Sequence, residues 1–128
     1  MKLELFAICE GAYNHNGQLT IVNTLDCIEA PEFPCRVSFG VAIKLGLQGV
    51  GAGHSEMTIS MVNSSGEKVF DPVFSTPLEI AENNPADCMA MAVNFQNVLF
   101  TKAGDYHVRL EINGDKIGEH TLRVKNNV

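Results

Sequence analysis

Arg36-Val37-Ser38-Phe39-Gly40-Val41-Ala42-Ile43-Lys44-Leu45 is the most regular stretch of the chain. Val37, Phe39, Val41, Ile43 and Leu45 occupy alternate positions, with Arg36, Ser38, Gly40, Ala42 and Lys44 between them. Successive side chains of a β-strand point to opposite faces, so an unbroken period of two predicts a strand with one face on a core and one toward water. The period recurs at Met57, Ile59 and Met61, at Met89, Met91, Val93 and Phe95, and at Tyr106, Val108, Leu110 and Ile112. Shorter β-type runs lie at 3–9, 19–25, 68–70 and 121–124. No window carries the apolar stripe of an amphipathic helix.

The runs are separated by turn chemistry. Asn16-Gly17, Ser65-Gly66 and Asn113-Gly114 accept the positive φ of tight turns. Pro31, Pro34, Pro72, Pro77 and Pro85 are expected in connections, where a missing N–H costs no ladder bond. The segment 71–87 holds three of these prolines and is expected to be a long crossing between sheets. Seven to nine short strands in 128 residues predict an all-β fold. Its expected form is an antiparallel two-sheet β-sandwich, immunoglobulin-like, in a single domain over residues 1–128. Tyr106 follows the turn residue Gly104 and opens a strand on its inward face. A tyrosine so placed either bonds its hydroxyl to nearby backbone at a sheet corner or serves as an ordinary core aromatic.

Leu, Ile, Val and Phe make up 37 of 128 residues, enough for a core without staples. The formal charge of −6 argues against a nucleic-acid partner, because phosphate binding needs clustered Lys and Arg. No run approaches the roughly 18 apolar residues of a membrane span. At the N-terminus Glu4 interrupts the first apolar run, so no secretory h-region is read there and a cytoplasmic location is expected. Cys9, Cys27, Cys35 and Cys88 have 17, 7 and 52 residues between successive members, without the close pairs of a zinc site. They are expected to be free thiols.

Phe6-Ala7-Ile8-Cys9, Gly17-Gln18-Leu19-Thr20-Ile21, Pro34, Ser65-Gly66 and the run from Gly104-Asp105-Tyr106 to Gly114 resemble a family of small, leaderless bacterial β-sandwich proteins of unknown function. The similarity spans nearly the whole chain. Its motifs are turn glycines and strand apolars, so the resemblance implies a fold and carries over no active site.

Chemistry-bearing motifs are weak. The glycine-rich 46–53 stretch lacks the Gly-Lys-Ser/Thr of a phosphate loop and reads as an inter-strand loop. His15, His54, His107 and His120 include no His-x-His pair, and His120 shares parity with Leu122 and Val124, so it is expected to face inward onto a backbone carbonyl. Met57, Met61, Met89 and Met91 fall at inward strand positions and read as core rather than as soft-metal ligands. His54-Ser55-Glu56 alternate faces and cannot form a relay. No metal or cofactor is expected, and neither is catalysis.

Two functions remain. One is a non-catalytic protein-interaction or assembly module, whose partner is another protein or a second copy in a homodimer. Its candidate contacts are Phe6 and Ile8, because by strict alternation Leu3, Leu5 and Ala7 point one way and Phe6 and Ile8 the other, leaving one apolar face to be covered. The alternative is a small-ligand or carbohydrate-binding sandwich using Tyr13, Asn14, His15, Asn16 and the 46–53 loop, where a ring and amide donors would meet a sugar. The absence of Trp weakens it.

Overall fold

The computed structural model describes residues 1–48, 50–70, 73–80 and 88–127. Among these, the strands in chain order are β1 (Lys2–His15), β2 (Gln18–Thr24), β3 (Cys27–Ala30), β4 (Cys35–Gly46), β5 (Gly53–Val62), β6 (Phe74–Ile80), β7 (Cys88–Phe100), β8 (Gly104–Ile112) and β9 (Asp115–Asn126). They form a four-stranded sheet in the order β2-β1-β4-β7 and a five-stranded sheet in the order β3-β9-β8-β5-β6. All pairings are antiparallel except β3 with β9. The fold is an all-β, immunoglobulin-like sandwich. No helix of the described residues is long and apolar enough to cross a membrane.

The alternating residues meet between the sheets as the period of two requires. Phe39, Val41, Ile43 and Leu45 of β4 face Met57, Ile59 and Met61 of β5 and Val108 and Leu110 of β8, all at most 1% exposed. Tight turns join the hairpins at the expected dipeptides, with Asn16 and Gly17 at φ 52° and 80° and Asn113 and Gly114 at 52° and 84°. Tyr106 takes the corner role: its hydroxyl donates to the Lys102 carbonyl at 2.6 Å, while its ring meets Phe100 edge-on at 5.0 Å.

Several expectations are corrected. The segment 71–87 contains β6, with Pro77 inside it opposite Glu56. Proline is tolerated because β6 is the edge of its sheet and needs ladder bonds on one side only. Asp71, Pro72 and residues 81–87 lie outside the described residues. The run 68–70 contributes only an isolated bridge, Val62 to Lys68.

Strict alternation also fails in β1. A register shift between Leu3 and Leu5 lets the strand change parity, so Leu3, Phe6 and Ile8 share the core side. Ile8 is 1% exposed, and Phe6 is half-buried against the core with His120 edge-on at 6.5 Å. The face occupied by Phe6 and Ile8 is therefore covered by the opposing sheet rather than offered to a partner.

The outer side of the first sheet is covered in part by the chain itself. Beyond Cys9 the β1–β2 hairpin folds over β4 and β7, burying Cys9, Ala12 and Ala42 against Leu19, Ile21 and Ala92. Asn94 of β7 holds the hairpin at Ala12, accepting its N–H at 3.1 Å and donating to its carbonyl at 2.8 Å. A Cβ on Gly40 would lie 2.6 Å from Asn94 Oδ1 and 2.9 Å from Ala12 N, so only glycine permits this approach. The small residues that alternation assigned to water thus serve a second, minor core.

Candidate interaction site

β7 is a 13-residue strand, CMAMAVNFQNVLF, without a charge or a proline. It pairs with β4 on one side and forms the edge of its sheet on the other. Met89, Met91, Val93 and Phe95 lie opposite Leu45, Ile43, Val41 and Phe39 on the same inner face. The β4 residues are at most 1% exposed, whereas their β7 neighbours are only half-buried. The difference follows from the terminal position of β7 in its sheet.

Edge strands are normally blunted by charge, proline or brevity. β6 carries Pro77 and Glu79, and β3 is four residues long with Glu29. β2 is uncharged too, but it is half the length and belongs to the hairpin laid over the sheet. β7 has one irregularity: Gln96 and Asn97 together oppose Ser38, with Asn97 at φ 52°. Asn97 N–H donates to Ser38 Oγ at 3.0 Å, and Arg36 Nη1 donates to the Asn97 carbonyl at 3.1 Å. This bulge turns the lower strand and opens a cleft beside it.

The cleft measures about 360 Å³ and is lined chiefly by Phe70, Phe74, Phe95, Val69 and Leu99. Phe95 stacks on Phe70 at 5.1 Å and on Phe39 at 5.4 Å, and meets Phe74 edge-on at 5.9 Å. Leu99 at its rim is 38% exposed. A second cleft of about 250 Å³ shares Val69 and Leu99 and is lined also by Lys68 and Lys102. Both lysines are exposed, and the backbone that carries each is held locally. Asn63 Oδ1 accepts the N–H of Ser65 and of Glu67, closing the turn before Lys68. The Tyr106 corner holds the carbonyl of Lys102.

Three cations elsewhere are paired. Arg109 and Lys116 reach Glu119 at 2.7 and 3.6 Å, and Arg123 reaches Asp105 at 3.1 Å. The Arg109 hydrogen bond holds the Glu119 carboxyl below the usual carboxylate range. Burial pushes the Cys9, Cys35 and Tyr106 groups upward. The four cysteines are free thiols.

The ligand-site residues expected from sequence lie on the β1–β2 hairpin, away from these clefts. Tyr13 is 58% exposed and lies across Gly11. Asn14 closes the turn by accepting Gly17 N–H at 3.0 Å and ties the hairpin to Ala90 O at 2.9 Å. His15 contacts Asn16 at 3.5 Å. His54, His107 and His120 turn instead to Glu79, Thr121 Oγ1 and the Thr121 carbonyl. Among the described residues no three His, Cys, Asp or Glu side chains gather as a metal site.

Fold and edge define an immunoglobulin-like sandwich with one long, uncharged edge strand flanked by an aromatic cleft. Residues 4–125 match the family of unknown function DUF6941, and the chain belongs to that family. No curated protein matches it in sequence. The alkylpurine DNA glycosylase AlkC of Pseudomonas fluorescens, solved on DNA containing an abasic site analog, is similar with a TM-score of 0.53 and 13% identity. That likeness, one of fold alone, covers 97% of this chain and 30% of the glycosylase. An immunoglobulin-like protein of Pseudomonas aeruginosa matches with a TM-score of 0.43 and 14% identity over 96% of this chain and 94% of its own.

Proposed function

We propose that this domain is a non-catalytic protein-interaction module that receives a strand of its partner along the free edge of β7. The observation carrying this reading is the step in burial from β4 to β7 on one continuous face, in a strand with neither charge nor proline. An added strand takes up the outward N–H and C=O groups of Met91 to Phe95 and lays alternate side chains over Met91, Val93 and Phe95. The aromatic cleft then receives an anchor where the bulge interrupts the ladder. The reading is tested by Val93→Lys, which turns a cation inward at the edge as natural edge strands do. The variant keeps its far-UV circular dichroism and loses partner binding. A folded variant that binds as the wild type does refutes the edge.

A further inference from the structure

Resting on that reading of the edge, we infer that the strand it receives is an extended acidic segment of another protein. Its apolar anchor sits among Phe70, Phe74 and Phe95, and its carboxylates lie against Lys68 and Lys102. Charge supports this occupant over a neutral one. In a chain of net charge −6, Lys68 and Lys102 stand together at the cleft and form no ion pair with any described residue. Arg36 is the ladder neighbour of Leu99 at the same end, and its guanidinium is bound to the Asn97 carbonyl rather than to an acid. Among the described residues the acid of this corner is Glu67, which lines the same cleft, accepts from the Asn63 amide at 3.2 Å and sets one negative charge against the three cations. A basic segment would meet three cations against one described carboxylate, and a nucleic-acid backbone has no peptide N–H and C=O groups to pair with the edge of β7.

Geometry fixes where the acids fall. The ladder is interrupted after Phe95 by the bulge at Gln96 and Asn97 and resumes at Val98, and Gln96 to Leu99 border the cleft. A strand paired along Met91 to Phe95 therefore reaches the aromatic pocket with one end, and the next residues pass Lys68 and Lys102. The recognised segment is an alternating apolar run of four to six residues, with an aliphatic or aromatic anchor and two or more carboxylates clustered at that one end.

A random dodecapeptide library displayed on phage, panned against the immobilised full chain, tests the inference. The expected enrichment is for alternating apolar sequences with Asp or Glu at one end. For a selected peptide, labelled with fluorescein and followed by anisotropy, Lys68→Glu combined with Lys102→Glu weakens binding about tenfold, a loss that shrinks at high salt. Leu99→Glu, at an exposed position that does not endanger the fold, weakens it as well. Enriched peptides that are neutral or basic, or that ignore the double reversal while Val93→Lys abolishes binding, overturn the acidic partner and leave the edge reading standing. Peptides that bind Val93→Lys normally, or a library that yields none, overturn both. A dimer in light scattering that Val93→Lys dissociates places a second copy of this chain on the edge and overturns the acidic segment.

Discussion

Replacing Tyr106 with Phe removes one oxygen and leaves the ring in place. The lost bond, from the hydroxyl to Lys102 O, is 2.6 Å long and belongs to a residue 2% exposed. The net value of such a bond is about 1 kcal/mol, rising toward about 3 kcal/mol when the abandoned partner stays dry. Lys102 and Tyr106 both line a cleft of about 250 Å³, so water reaches the freed carbonyl and the cost stays near the lower figure. Unfolding entropy of about 2.1 cal/mol/K per residue gives about 0.27 kcal/mol/K for 128 residues, so Tm falls by about 4 °C. Burial also raises the hydroxyl pKa, so the folded protein holds this proton more tightly than the unfolded chain does. The contribution is intact below the unfolded value of about 10 and is lost as pH rises through the raised folded value. Urea melts of both forms at neutral pH and near pH 11 therefore show a gap that narrows in alkali. An unchanged midpoint at neutral pH means that the corner bond contributes nothing. A loss beyond about 3 kcal/mol means that the ring itself has moved.

Asn94→Ala removes both bonds that hold the hairpin at Ala12 and costs about 1–2 kcal/mol, with faster amide exchange confined to residues 11–22; uniform exchange would contradict a separately docked hairpin. Ile59→Ala, at a fully buried position between the sheets, costs about 2–5 kcal/mol in denaturant, and a smaller loss would mean the core is looser than described. In an NMR titration the Glu119 carboxyl has its midpoint below the usual glutamate range, and Arg109→Gln moves it upward. Because that value is lowered by folding, the contribution of Glu119 is present at neutral pH and disappears as pH falls through the lowered value. EDTA leaves Tm unchanged, and a drop of several degrees would reveal a structural metal.

The period-two pattern of Val37 to Leu45 and its three repeats specified strands and their inward faces, because side-chain direction along a strand is a local property. Asn16-Gly17 and Asn113-Gly114 were legible for the same reason, each depending on a few consecutive residues, whereas Tyr106 stood between a corner bond and a core aromatic until the Lys102 carbonyl was placed beside its hydroxyl. The free thiols followed from cysteine spacing. Register and order are different, being set by pairing between distant segments. Strict alternation put Phe6 and Ile8 on an uncovered face because the shift between Leu3 and Leu5 exists only against β4. The prolines of 71–87 masked β6, since whether a strand tolerates Pro77 depends on its being an edge. Gly40 and Ala42 read as a water-facing side until a hairpin from the other end of the β1 run lay over them. The alternation of Met89 to Phe95 is the same whether the strand is central or terminal, so the sequence alone determined its inward face. That this strand ends its sheet beside Phe70 and Phe74 was decided by tertiary pairing, which left Met91, Val93 and Phe95 half-buried where their β4 neighbours are closed over.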